Sequence, residues 1–407
     1  MASARHYSAA AAEADDGEVA GYLPAGLPCL PACRACRAGQ AQLVLSGAGA
    51  RVRLSVVLPG VVIPSGADND GAVVLEEGPR SARSRRSERM TLTEQHRPGA
   101  DRRPADYDVL VVGGVGVDTI VRVEELRVPP GDSVLVEPLR DYVGHTGNGV
   151  ALGWHALGLR TKFVDFLGDD PQGRMVLEHY ARVGLDFSHL VSPHGTPRSA
   201  NLVDPRGRRF SFYDGRHPGD LRLPRAFYLP FLERTAHVHL SIIGHNQDMY
   251  EDIHRLGVTS STDLHDWDGR NPHHRPYALN SDYVFLSAAA LHDRLHTVMR
   301  TILDEGRARF VVATDGAEGC HLLERGADGI RHFPAVRPER PVVDSNGAGD
   351  AFVTAFLHSL FEGRPLEECV LAGSVSGAFV CGSVGTHTEF IDLPGLRAAT
   401  ARAVTAR

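Results

Sequence analysis

Lysine is almost missing from this chain: the 43 Lys and Arg residues include a single lysine, Lys162. A Walker A loop must end its glycine-rich run in Lys-Ser or Lys-Thr, because the ammonium reaches the nucleotide phosphates. Lys162 sits in "LGLRTKFVDF" and ends no such loop, so P-loop kinases and ATPases are excluded. Schiff-base catalysis would have to use that same residue. Cysteine is scarce as well, and six in 407 residues make no disulfide framework. No apolar run reaches the roughly 18 residues of a membrane span. The first residues also lack the basic start and apolar core of a secretory signal. A formal charge of −7 leaves no electrostatic footprint for nucleic acid or an acidic membrane. These absences point to a cytosolic protein. Its 43% hydrophobic and 23% charged residues are ordinary for a globular chain. Its length allows two or three domains, or one large domain with appendages.

What is present divides the chain in two. Residues 1–105 are rich in Ala, Gly, Arg and Pro and contain the basic run "PRSARSRRSERM". They read as a low-order N-terminal extension, within which "AQLVLSG" and "VRLSVVLPGVVI" can pair as strands. Met90 is a candidate translation start. "CLPACRAC" places Cys29, Cys33 and Cys36 at the Cys-x3-Cys-x2-Cys spacing of a radical SAM cluster. Ala35 stands where such loops carry an aromatic residue, and no barrel-length domain follows, so chance is the better account.

From Asp106 the texture changes. "YDVLVVGGV" is a continuous apolar run ending in glycines, as a buried parallel strand should be. "GNGVALGWHALGL" has helical spacing, and "RTKFVDFLG", "HVHLSII", "YVFLS" and "RFVVATDG" read as further strands. Strands alternating with helices imply an α/β sandwich around a mostly parallel sheet. Two stretches, near 119–143 and 198–214, read instead as short strands and a hairpin, a small lid lying off that sheet.

The chemistry gathers at "VVDSNGAGDAFVTAFLHSL", residues 342–360. Phe352, Ala355, Phe356 and Leu360 fall at helical spacing, so a helix should begin near Gly347. Asp344, Ser345 or Asn346 is placed to cap it. The first amides of a helix have no internal partners, and glycine lets a ligand approach them closely. Gly347, Ala348 and Gly349 are therefore candidate donors to a phosphoryl group in flight. Asp350, in that first turn, is kept ionised by the same positive potential and can take a proton from a hydroxyl. A base beside an oxyanion cradle is what phosphoryl transfer to an alcohol requires.

These residues resemble the C-terminal signature of the PfkB, or ribokinase-like, family of carbohydrate kinases. "VLVVGGVGVDTI", "GHTGNGVALGWHALGLRTKFVDFLGDDPQG", "TPRSANLVDPRGRRF", "FVVATDGAEGC" and "EECVLAGSVSGAFVCGSVGT" follow in family order. The resemblance spans about residues 106–395. It implies a three-layer αβα sandwich over 106–398 with a β lid and a tail at 399–407. It also implies ATP- and Mg²⁺-dependent phosphorylation of a sugar or sugar-like hydroxyl, with homodimerisation through the lid. Asp350 matches the family's base, and Gly347–Gly349 its anion hole. Asp118 matches an acid that holds sugar hydroxyls. Thr314 and Gly316 match the segment lining the nucleotide, and Asp344 stands near the phosphates.

Three departures qualify what the resemblance implies. The slot for the sugar-binding asparagine holds Gly149, with Asn148 one residue earlier and turned by about 100 degrees; both remain substrate-binding candidates. The Asn-x-x-Glu motif that organises Mg²⁺ is replaced by Ser287 and Ala290 in "VFLSAAALHD". Metal binding then falls to the ATP phosphates, helped through water by Asp344, Asp315 or Glu318. An asparagine common near the adenine corresponds to Gly373. Further candidates lie in "STDLHDWDG", where Asp263, His265 and Asp266 should line the site at a strand's carboxyl end. "GGVGVD" lacks the third glycine and following helix of a dinucleotide fingerprint. Two other functions remain open at this level: a nucleoside kinase of the same fold, and a non-catalytic sugar or nucleotide sensor that has lost the metal motif.

Overall fold

The computed structural model describes residues 19–21, 42–46, 53–57, 105–128 and 131–405, and the chain divides into two units at Arg89–Met90. The first unit contains a three-stranded antiparallel sheet of β1 (Val19–Gly21), β2 (Gln42–Ser46) and β3 (Arg53–Val57). The two apolar segments noted above thus pair, Leu43 opposite Val56 and Leu45 opposite Leu54. Cys29, Cys33 and Cys36 lie outside the described residues, as does the rest of the 1–104 stretch.

The second unit opens with β4 (Tyr107–Val112), β5 (Gly116–Arg122), β6 (Arg140–Gly144), α1 (Thr146–Ala156), β7 (Thr161–Gly168), α2 (Pro171–Val183) and β8 (Asp186–Ser192). The hairpin β9 (Arg198–Val203) and β10 (Arg209–Asp214) follows, then α3 (Arg225–Leu232), β11 (Thr235–Leu240), α4 (Met249–Leu256) and β12 (Thr259–Asp263). Next come α5 (Arg275–Asn280), β13 (Tyr283–Ser287), α6 (Leu295–Glu305), β14 (Phe310–Thr314), β15 (Cys320–Glu324) and β16 (Arg331–Phe333). Three helices close the chain: α7 (Ala348–Phe361), α8 (Leu366–Val380) and α9 (Leu393–Thr405). None of the described helices is long and apolar enough to cross a membrane.

The main sheet has the order β16-β15-β14-β13-β12-β11-β4-β7-β8, parallel from β14 to β8. Only β15 runs against the others, pairing antiparallel with β14 on one side and with the edge strand β16 on the other. Alternation in β4 shows why the sheet is covered twice. Val109 and Val111 belong to one buried cluster with α1, α7 and α8, whereas Leu110 and Val112 belong to another with α4 and α6. A three-layer sandwich follows. The lid is a separate four-stranded sheet of order β10-β9-β5-β6, in the two stretches where short strands were expected.

Two features place the site. Trp154 on α1 is fully buried and donates its Nε1–H to the Thr354 carbonyl of α7 at 3.1 Å, tying the two helices that flank the glycine turn. β12, Thr-Ser-Ser-Thr-Asp, is a strand no hydrophobic pattern announces. It is central because its polar groups are paired: Ser261 with His237 and His239 at 2.8 and 2.9 Å, and Thr262 with the Leu240 carbonyl at 2.8 Å. Its last residue, Asp263, is thereby delivered to the carboxyl edge of the sheet.

Candidate active site

α7 starts where the sequence pattern placed it, but no side chain caps it: the capping residue is Gly347, at φ +80°. A side chain there would be strained, and its Cβ would lie 2.6 Å from His387 Cδ2. Asp344 caps no helix amide. It accepts from Arg122 at 2.9 Å and from the Asn346 amide at 3.0 Å. Among the described residues the amides of Gly347, Gly349 and Asp350 have no acceptor, whereas the Ala348 amide turns back to the Ser345 carbonyl at 3.3 Å. Three unpartnered donors therefore sit at the positive end of a 14-residue helix. Ala348, expected among the donors, is partly engaged, and the Asp350 amide joins the set.

Asp350 is 9% exposed, with one carboxylate oxygen held by His387 Nε2 at 2.7 Å. His387 was not singled out by sequence reasoning. It follows α8 in "VGTHTEF", at φ +52°, and no motif spacing links it to Asp350. Its protonation is fixed by its neighbours. Asn148 Nδ2 lies 3.1 Å from the Val143 carbonyl, which can only accept, and Tyr180 donates its hydroxyl to Asn148 Oδ1 at 2.8 Å. The amide group is thus a donor toward His387 Nδ1, 3.0 Å away. An imidazole that accepts at Nδ1 carries its proton on Nε2, and that N–H points at Asp350. The chain Tyr180–Asn148–His387–Asp350 holds one oxygen of the carboxylate and leaves the other for a substrate hydroxyl.

This chain explains both departures at the start of α1. Asn148 is fully buried and engaged with protein groups, so it faces Tyr180 and His387 rather than a sugar. Gly149 makes room for the pair: a Cβ there would lie 2.4 Å from both Asp350 Oδ2 and His387 Nε2. An asparagine in that slot would displace the histidine.

Asp263 lies beside the turn, with an oxygen 3.9 Å from where a Gly349 Cβ would be. Burial raises its pKa, and the Asp350 charge raises it further, while His265 works in the opposite direction. His265 donates its own amide to Asp263 at 2.9 Å and places Nε2 3.1 Å from Thr146 Oγ1. Asp266, the third candidate of that segment, is exposed on the surface.

Asp118 on β5 is 5% exposed and bonded to the Ser199 hydroxyl, with His145 Nε2 3.4 Å away. Burial alone would raise its pKa, yet His145 and Ser199 hold it far below the carboxylate range. His145, another residue missed from sequence, occupies a left-handed conformation at φ 69° directly before α1. His145, His265 and His387 are all left-handed and all lie in this site, as strained residues at functional sites often do. Thr314 and Gly316 stand at the carboxyl end of β14, two strands beyond β12. Gly373 is buried in α8, where a Cβ would meet Phe352 at 3.0 Å.

The lid reaches the loop before the anion donors. Arg122 of β5 binds Asp344, Arg209 of β10 donates to Asn346 Oδ1 at 2.5 Å, and Ser345 donates to the Gly207 carbonyl at 3.3 Å.

A profile of the pfkB family of carbohydrate kinases matches residues 286–392. Acarbose 7(IV)-phosphotransferase of Actinoplanes sp. is 49% identical over 290 residues, covering 71% of this chain and 97% of that protein. Among solved structures, a microbiome-derived acarbose kinase shares 46% identity with a TM-score of 0.68, over 73% of this chain and 99% of the other. Arabidopsis thaliana ribokinase, solved with ribose and ATP, shares 19% identity with a TM-score of 0.61, over 72% of this chain and 98% of its own. The last shows the fold alone.

Proposed function

Because this chain belongs to the pfkB family of carbohydrate kinases, and so transfers phosphoryl from ATP to a sugar-like hydroxyl, we propose that Asp350 is its base and acarbose or a close relative its acceptor. The observation that carries the assignment is the Asp350 carboxylate, fixed at one oxygen by His387 and lying beside three unpartnered amides. Its second oxygen accepts the acceptor's proton, and the amides of Gly347, Gly349 and Asp350 receive the charge that builds on the transferred group. Asp118 orients the sugar, held ionised by His145 and Ser199. Thr314 and Gly316 line the nucleotide. The lid, latched through Arg122 and Arg209, keeps water from the phosphoryl group.

Among the described residues no cluster of three acidic, histidine or cysteine side chains is placed to cage a metal. Mg²⁺, usually held by one or two carboxylates and substrate phosphates, fits a site in which ATP supplies most ligands. Asp263, a buried carboxylate beside Asp350, would add a protein oxygen through water. Bound there, the metal would supply charge neutralisation at the phosphates.

A homodimer is supported by the outer lid strand, where Phe210, Phe212 and Tyr213 are 54, 60 and 61% exposed along an unpaired edge. The catalytic unit is assigned to residues 106–398.

The assay is ADP release with acarbose, monosaccharides and nucleosides as acceptors. The expected result is turnover with acarbose and a loss of about 10²–10⁴-fold in Asp350→Asn, with acceptor binding retained by calorimetry. Turnover by Asp350→Asn within threefold of the parent refutes the base; preference for a nucleoside refutes the acceptor.

A further inference from the structure

The lid sheet has two faces, and alternation along β9 tells them apart. Ser199, Asn201 and Val203 are buried, while Arg198, Ala200 and Leu202 between them are half-buried. Side chains directly opposite one another on paired strands share a face. Along β9, Ser199 lies opposite Asp118, Asn201 opposite Ile120, and Val203 opposite Arg122. The buried face is therefore the one turned to the active site: Ser199 bonds Asp118 there, and Arg122 reaches Asp344. Rows two residues apart along a strand are separated by about 7 Å. Asn201 thus lies between the carboxylate that orients the sugar and the row that grips the loop leading to Gly347.

The amide of Asn201 is unused. The residue is 5% exposed, yet among the described residues nothing hydrogen-bonds its side chain. Ile120, its neighbour across the sheet, is apolar and 4% exposed, so it offers no partner. The amide is nonetheless open to a bound molecule, unlike the buried and orphaned Asn346 Nδ2. A buried polar group without a partner costs stability, and such a cost is retained where function uses the group.

The surroundings show what it suits. A carboxamide holds two N–H donors beside a carbonyl acceptor, the complement of two neighbouring hydroxyls. Arg122 and Arg209 in the next row are already bonded to the 344–346 loop, so no free cation accompanies Asn201 for an anion. Tyr213 and Tyr142 stand at the two ends of the Asp118 row. The Tyr213 ring lies 5.3 Å from that of His145, and Tyr142 packs so closely on Gly385 that a Cβ there would lie 2.4 Å from its ring. Gly385 is two residues before His387, so this face of the lid abuts the loop that holds Asp350.

We propose that Asn201 is a specificity-determining residue, its amide hydrogen-bonding two adjacent hydroxyls of the acceptor ring beside those held by Asp118. The lid thereby reads the configuration of those hydroxyls. The proposal rests on the reading of Asp118 as the group that orients the sugar.

Calorimetry on the full chain would measure acarbose and ATP separately in two variants. Asn201→Leu keeps the bulk without the amide, and Asn201→Ala leaves room. Both are expected to bind acarbose roughly 10- to 100-fold more weakly, as two lost neutral hydrogen bonds imply. Affinity for ATP should change by less than about threefold. With no protein partner to lose, Asn201→Leu should unfold in urea at the parent's midpoint or above it. Unchanged acarbose affinity in both variants, or a loss confined to Asn201→Leu, overturns the proposal. So does an equal loss for ATP with a lowered midpoint, which marks the amide as structural. Asp118→Asn separates the two readings: if it binds acarbose as the parent does while both Asn201 variants bind it weakly, Asn201 stands and the role of Asp118 falls. If the parent does not bind acarbose, the acceptor assignment fails, and the same comparison decides Asn201 with the monosaccharide or nucleoside that releases ADP.

Discussion

Replacing His387 by leucine removes the side-chain donor that holds Asp350, the proposed base, while keeping a side chain of similar bulk. Two groups lose a partner: Asp350 loses the N–H at 2.7 Å, and the Asn148 amide loses the acceptor at 3.0 Å. Hydrogen bonds to charged groups contribute about 1.5–3 kcal/mol, and each 1.36 kcal/mol in the barrier is a factor of ten in rate. If that energy serves to orient the base, kcat should fall roughly 10- to 150-fold. The substrates still find Asp118, the amides and the lid, so KM for ATP and acceptor should change by less than about threefold. That split marks His387 as a positioning residue. Glutamine supplies the control, since its amide N–H can donate to Asp350 while its carbonyl accepts from Asn148; His387→Gln should recover most of the rate. The assay is steady-state ADP release, with thermal unfolding run alongside because His387 is 6% exposed and left-handed. A folded His387→Leu enzyme with unchanged kcat, or a Gln variant as slow as Leu, would refute the reasoning.

Other perturbations test other parts of the molecule. Burial depresses the His239 pKa to about 3, so below pH 6.5 the unfolded chain takes up a proton that the folded one refuses. Stability present at pH 7 should fall by about 2 kcal/mol by pH 5 from this residue alone, and His239→Gln should flatten the slope in urea titrations at the two pH values; parallel slopes would argue against it. Gly147→Ala puts a methyl 1.8 Å from the Gly113 carbonyl oxygen. The backbone must give way, at a cost of about 1–3 kcal/mol, read as a lowered urea midpoint. Removing the two arginine contacts from the lid to the 344–346 loop, in Arg122→Ala with Arg209→Ala, should weaken closure by about 1 kcal/mol. ADP release without acceptor should then rise roughly fivefold, and no rise would show that the latch does not exclude water.

Much of this protein was legible in its sequence, for reasons that are local. Predominantly apolar runs marked β4, β7, β11, β13 and β14, because a parallel strand covered on both faces must be largely apolar. The lid was visible as alternation broken by Pro and Gly, and the start of α7 as a Gly-Ala-Gly turn ahead of a helical stripe. That turn also announced the chemistry, since backbone donors and an acid within four residues need no distant partner to be recognised. β12 went unseen because its five polar residues are satisfied by neighbouring strands, and hydrophobic pattern is blind to that.

What the tertiary structure alone decided is how the acid is held. His387, Asn148 and Tyr180 lie far from one another in the chain and carry no shared spacing, yet folding brings α1, α2 and the loop after α8 together around Asp350. The same packing turned Asn148 inward, set Gly149 against the carboxylate, and buried Asn201 on the inner face of the lid with no partner among the described residues. A linear sequence records which donors and acceptors exist. Which of them meet is fixed by long-range packing of helices on the sheet, and the direction of every proton in the site follows from that meeting.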